Sequence, residues 1–206
     1  MKNILISSKI IKDKYGSIGS FTDDDWKKFF SKKKINLVNI YNLSLSNKNL
    51  SSFKPIGLIL SGGNDISKIK KNKINLQRDF VERKLLNFAK KKKIPILGVC
   101  RGFQFIANEL GGELKKKPNH IRVKHILEIN SKIFSQNIKK LIVNSYHNLC
   151  VVKLSNFFNS YILSTDKTIE FALSKNKKIM CMMFHPERVN KSEYLIKKII
   201  FDFFKL

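Results

Sequence analysis

Apolar residues in the first half of the chain arrive in short unbroken runs, at 3–7, 35–41, 57–63 and 94–99, and each run predicts a buried strand. The third runs into a glycine turn, Ser61-Gly62-Gly63. Between the runs the period becomes helical. Thr22 precedes Asp23-Asp24-Asp25, acids suited to a first helical turn, with Trp26, Phe29 and Phe30 turned inward. Residues 77–91 set Phe80, Leu85, Phe88 and Ala89 on one buried side. A further helix follows Cys100, with Phe103, Ile106, Ala107 and Leu110 on one face, and ends at Gly111-Gly112. The polar stretch after 41 and the lysine-rich 68–73 read as loops. The order β-α-β-β-α-β-α, with strands apolar on both faces, predicts an α/β fold: a mostly parallel sheet flanked by helices.

The second half reads differently. Short strands at 126–129, 141–144, 151–154, 161–163, 169–173 and 179–184 follow one another with few helices between, so some pairs are expected to be antiparallel. The closing helix, 193–204, carries Leu195, Ile196, Ile199, Ile200, Phe203 and Phe204 at helical spacing, a stripe suited to packing across the sheet. No repeat or linker interrupts the chain, and 206 residues read as one domain, 1–206.

The densest chemistry lies where the fourth strand meets its helix. Cys100 stands between Gly98 and Gly102, a Gly-x-Cys-x-Gly form of the strand-turn-helix nucleophile elbow, with sulfur in place of a serine oxygen. The sharp turn leaves no room for side chains two residues either side, and a helix N-terminus favours thiolate. The plain alternative is a small buried cysteine beside turn glycines. A nucleophile needs a base, and a base needs an orienting group. Of His120, His125, His147 and His185, the last stands out, because Pro186 holds it extended and Glu187 then projects to the same side. In the elbow and in Ser61-Gly62-Gly63, two strand-end loops share the carboxyl edge of the sheet, where α/β folds bind ligands.

Composition adds an electrostatic bias. Lysine and arginine number 41 against 15 acids, a net charge of +26, yet only five of the basic residues are arginine. A reader of nucleic acid is expected to cluster arginine beside a stacking face. Dispersed lysine instead supplies a positive field that concentrates an anionic substrate. Cys100, Cys150 and Cys181 show neither paired spacing nor a Cys-x-x-Cys zinc pattern, and an odd, sparse set suits a reducing cytoplasm. The N-terminal apolar run is too short for a signal peptide, and none reaches membrane-spanning length.

Five segments occur together in order: Ser61-Gly62-Gly63-Asn64-Asp65, Arg78-Asp79-x-x-Glu82, Gly98-Val99-Cys100-Arg101-Gly102-Phe103-Gln104, Val143-Asn144-Ser145-Tyr146-His147 and Phe184-His185-Pro186-Glu187. With them the chain resembles the class I glutamine amidotransferases, and within them the stand-alone γ-glutamyl-γ-aminobutyrate hydrolase branch. The resemblance implies a flavodoxin-like sheet, a Cys100–His185–Glu187 triad, an oxyanion hole from the N–H groups of Gly63 and Arg101, and a glutamyl pocket lined by Gln104, Ser145, Tyr146 and His147. Ser61, Met183 and Asn148 depart from the branch pattern on the leaving-group side. For Arg78, Asp79 and Glu82 two readings stand side by side, helix-start electrostatics and a substrate role.

The implied reaction is cysteine-dependent hydrolysis of a γ-glutamyl amide through a γ-glutamyl thioester, with no metal and no cofactor. Charge, chain brevity and the resemblance favour a γ-glutamyl nucleotide phosphoramidate as substrate, a γ-glutamyl-CDP-amidate, as in short members of the branch linked to capsular polysaccharide modification. γ-Glutamyl-γ-aminobutyrate is the next candidate. A glutaminase subunit feeding ammonia to a partner synthetase is a second reading. A nucleic-acid-binding protein is a third, which leaves the elbow and His-Pro-Glu unexplained. The expected partner is thus a small anionic molecule, with no nucleic acid and no membrane, and with a homodimer left open.

Overall fold

Alternation along the strands builds three layers. The computed structural model describes residues 1–41, 46–129 and 138–206. Its elements run β1 (Lys2–Ser7), β2 (Lys9–Lys12), β3 (Ile18–Phe21), α1 (Asp25–Phe29), β4 (Ile35–Ile40), α2 (Asn47–Ser52), β5 (Pro55–Leu60), α3 (Lys73–Lys92), β6 (Ile96–Val99) and α4 (Arg101–Glu109). There follow β7 (Glu113–Lys116), β8 (Ile121–Glu128), β9 (Lys140–Tyr146), β10 (Leu149–Lys153), β11 (Phe158–Leu163), β12 (Ile169–Ser174), β13 (Ile179–Met182) and α5 (Glu193–Phe204). A seven-stranded sheet in the order β11-β12-β13-β6-β5-β1-β4 forms the middle layer. Its strands from β13 to β4 pair in parallel, whereas β11, β12 and β13 pair antiparallel.

One face of that sheet presents Ile4, Ile6, Ile59, Leu97, Val99, Met180 and Met182, packed with Trp26, Phe29 and Phe30 and with Ile196, Ile199, Ile200, Phe203 and Phe204 of α5. The other presents Leu5, Leu58, Leu60, Ile96, Ile179 and Cys181 to α2, α3 and α4. Neighbouring positions thus serve opposite cores, which is why these strands read as continuous apolar runs. The apolar stripe of α5 covers the sheet, as its spacing predicts. Among the described residues, no helix is long and apolar enough to cross a membrane.

Strands β2, β3 and β7 and helix α2 escape the sequence pattern, and α3 begins earlier than expected. The β2–β3 hairpin is mostly exposed, so no apolar run marks it. The polar stretch after 41 contains α2, opened by a capping box between Ser46 and Asn49 and buried through Leu50 alone. Residues 42–45 of that stretch lie outside the described residues. Helix α3 starts at Lys73, earlier than the apolar spacing implies, because Asn72 caps it by accepting a bond from the Asn75 N–H. Beside the main sheet, β8 pairs with β9 and β7 with β10, both antiparallel, and these ribbons wall one side of the sheet's carboxyl edge.

Candidate active site

Cys100 takes its position from steric necessity on both sides. It caps α4 with φ 50° and ψ −104°, outside the regions that L-residues favour, while its N–H is tied to the Met182 carbonyl at 2.8 Å. A Cβ on Gly98 would lie 2.7 Å from Ile106 Cδ1, and one on Gly102 would run into the Leu60 carbonyl. Only glycine lets helix and strand approach this closely. The Arg101 N–H, at the first position of α4, belongs to the turn whose amides lack helical partners.

His185 arrives from the chain just past β13, the strand paired in parallel with β6. Its Nδ1–H donates to Glu187 Oε1 at 2.6 Å, and imidazole and carboxylate are both buried. Burial alone would lower the His185 pKa. The Cys100 sulfur, through charge and hydrogen bonding, and then Glu187 overcome it and push the imidazole up to about 10. The histidine backbone is clamped as well. Asn144 Nδ2 donates to its carbonyl at 2.8 Å, and Asn144 Oδ1 accepts from its N–H at 2.9 Å. Asn190 Nδ2 donates to the same carbonyl at 2.9 Å.

A buried ionic network lies beneath the two loops. Arg78 donates to the carbonyls of Ser61, Gly62 and Gly63 and to Asn64 Oδ1, and its Nε donates to Glu82 at 3.0 Å. Glu82 and Asp79 in turn hold the Arg101 guanidinium, and Ser7 donates to Glu82 at 2.8 Å. Burial and the nearby Arg101 lower Arg78 to about 10 against the pull of Glu82, so it remains a cation at neutral pH. Neither sequence reading of Arg78, Asp79 and Glu82 describes them. They lie beyond the first turn of α3 and are buried under the site, Arg78 fixing the carbonyls of the glycine loop and Asp79 and Glu82 holding Arg101. With the Gly62 carbonyl turned to Arg78, the trans peptide aims the Gly63 N–H the opposite way.

A cleft of about 470 Å³ opens over Cys100 and His185, walled by Gly63, Arg101, Gln104, Tyr146 and His147 and edged by Lys116 and Arg188. Gln104 donates to the Leu149 carbonyl at 2.8 Å, and Tyr146 stands edge-on to His185 beneath Arg188. Ser145 is the exception among the residues the resemblance put in the pocket. It is fully buried, and its hydroxyl donates to the His120 carbonyl at 2.5 Å, away from the cleft lining. Sequence reasoning also passed over the clamps. Asn144 was visible in the Val143–His147 segment, but Asn190 carries no signal beyond its nearness to His185.

Residues 21–206 match the family model "Glutamine amidotransferase class-I". The chain belongs to the class-I glutamine amidotransferases. Among its curated relatives, a γ-glutamyl-CDP-amidate hydrolase of Campylobacter jejuni is 35% identical over 81% of this chain and 80% of its own length. A GMP synthase of Prochlorococcus marinus is 31% identical over 82% of this chain, which spans only 32% of that longer protein. A glutamine amidotransferase of Thermotoga maritima shares the fold, with a TM-score of 0.71 at 15% identity, covering 100% of this chain and 99% of its own. In this amidotransferase, then, elbow, clamped histidine and cleft meet at the carboxyl edge of a sheet shared with a solved relative.

Proposed function

We propose that this amidotransferase-family chain, acting as a single domain, is a cysteine hydrolase that cleaves a γ-glutamyl amide, with a γ-glutamyl nucleotide phosphoramidate as substrate. The observation that carries the reading is the Cys100–His185–Glu187 arrangement at the floor of the cleft. Cys100 Sγ attacks the γ-carbonyl carbon, and the electron pair of the C=O bond moves to oxygen. The N–H groups of Gly63 and Arg101 receive that oxyanion, each donor contributing about 3 kcal/mol. The C–N bond then breaks as His185 Nε2 passes its proton to the leaving nitrogen, leaving a γ-glutamyl thioester on Cys100. Water, losing a proton to His185, attacks the thioester and releases glutamate and the thiolate.

Gln104 and Tyr146 hold the glutamyl portion, and the His147 ring walls it. An anionic leaving group is supported by Lys116 and Arg188 at the cleft edge, by the net charge of +26, and by the substrate named for the Campylobacter relative. A capsule-modifying role depends on that leaving group. The Prochlorococcus similarity supports one other reading, a glutaminase that feeds ammonia to a synthetase.

Glutamate release from glutamine, γ-glutamyl-γ-aminobutyrate and a γ-glutamyl nucleotide phosphoramidate, with Cys100→Ala as control, tests the proposal. Fast release from the phosphoramidate, lost in the variant, is expected. Release from glutamine alone moves the chain to the glutaminase reading, and release that survives in Cys100→Ala removes the nucleophile.

A further inference from the structure

Behind the cleft wall the fold gathers three of the four histidines with a cysteine and two carboxylates. His120 precedes β8, His125 lies on it, His147 stands between β9 and β10, Cys150 is on β10, and Glu170 is on β12. The ring centroid of His120 lies 4.8 Å from that of His125 and 5.1 Å from that of His147. His120, His147, Cys150 and Glu170 are all buried. The reaction proposed above uses none of them except His147, whose other side lines the cleft.

The polar atoms here are not satisfied by one another. His120 Nε2 is taken by Asp166 Oδ2 at 2.9 Å, which leaves its buried Nδ1 with no hydrogen-bond partner among the described residues. Glu170 Oε1 lies 3.1 Å from His125 Nδ1 and 3.5 Å from His147 Nε2, but neither nitrogen is aligned for a hydrogen bond, and Glu170 Oε2 has no partner either. A buried, unpaired imidazole nitrogen has given up its hydrogen bond to water with nothing in return. The unpaired Nδ1 of His120, beside the hydrogen-bonded pair of Cys150 and His147, is the mark of a group that something else completes.

Donor type and spacing say what that group is. Sγ of Cys150 lies 3.6 Å from His147 Nδ1. Zn–N near 2.0–2.1 Å and Zn–S near 2.3 Å in a tetrahedron put N and S about 3.6 Å apart. Ligand atoms of His120, His147 and Cys150 all lie within 4.8 Å of one another. His120 has Asp166 at its far nitrogen, hydrogen-bonded at 2.9 Å, which is the outer-shell arrangement that orients metal-bound imidazoles, and the Glu170 carboxylate lies 3.5 Å from the far nitrogen of His147. Two of only 15 acidic residues converge on this spot in a strongly basic protein, a local charge suited to a dication.

We propose that His120, His147 and Cys150 form a binding site for a divalent transition-metal ion, zinc by its donor set, backed by Asp166 and Glu170, with the fourth position left to water. Binding breaks the Cys150 S–H bond, forms the S–metal bond and releases the proton to solvent. The ion takes no part in amide cleavage. It fixes His147 and ties the turn between β9 and β10 to the segment before β8, stiffening one wall of the cleft. The site stands whether or not the hydrolase reading does.

Cobalt(II) added to the metal-free full-length protein tests it. One equivalent is expected to bind with a thiolate-to-cobalt charge-transfer absorption that is lost in Cys150→Ser and kept in Cys100→Ala. Glu170→Gln should weaken binding by about 10–100-fold. Absence of the absorption in the wild-type protein, or its loss in Cys100→Ala alone, overturns the proposal. Should Cys150→Ser fail to fold, X-ray absorption on the zinc-loaded wild-type protein decides instead. One sulfur and two imidazoles in the shell support the site, and a shell without sulfur refutes it.

Discussion

His185 is the residue on which chemistry and acid–base behaviour turn together. Its pKa is raised from the ordinary 6.5 to about 10 because the Cys100 sulfur and Glu187 outweigh burial. A group whose folded pKa is raised contributes stability fully present below its unfolded pKa and lost as pH climbs through the folded one. The His185 contribution is therefore complete below about pH 6.5 and drains away as pH rises towards about 10. In the proposed reaction catalysis shares that limit, because the leaving nitrogen needs the imidazolium proton. The alkaline limb of kcat/KM for glutamate release is expected near pH 10 in the wild-type protein. In Glu187→Gln it should shift to lower pH, with kcat reduced about 10²–10⁴-fold. An alkaline limb already near neutrality in the wild-type protein would sink the ion-pair assignment. At this scale the meeting of His185 with Glu187 was legible, as was the sharp turn at Cys100, since these residues sit in short local patterns. Ser145 was not, because which way a strand residue faces depends on the pairing of β9 with β8.

Among the elements, the β6–α4 joint tolerates least change. A Cβ on Gly102 meets the Leu60 backbone, which cannot give way as a side-chain tip can, and overpacking of this kind costs about 1–3 kcal/mol or more. Gly19, in the exposed β2–β3 hairpin, would place its Cβ 3.7 Å from Ile11, an ordinary contact. Urea unfolding should therefore show Gly102→Ala with a clearly lower midpoint and Gly19→Ala close to the wild-type protein. Equal midpoints would mean that α4 can withdraw from the sheet, and with it the steric basis of the elbow. The parallel strands and α5 were readable because their burial imprints a period. The hairpin and α2 leave most of their side chains in water and imprint none.

Across the whole molecule, the net charge of +26 is a long-range property with a kinetic signature. Raising salt from about 0.05 to about 0.5 M screens that field and should lower kcat/KM for a γ-glutamyl nucleotide phosphoramidate by about tenfold or more. The value for glutamine, which carries no net charge, should hardly move. Equal salt dependence for both would remove electrostatic capture from the account of substrate choice. Chain-wide assembly also separates what was written locally from what was not. The sequence by itself determined the α/β class, the elbow turn, the His-Pro-Glu segment and the excess positive charge, since each is written in local patterns or in composition. Only the tertiary structure decided that Arg78, Asp79 and Glu82 brace the glycine loop from beneath, that Asn144 and Asn190 clamp His185, and that His120, His147 and Cys150 converge behind the cleft. Those groups come from separate strands and turns, and their meeting is set by strand order and register, which no local spacing encodes.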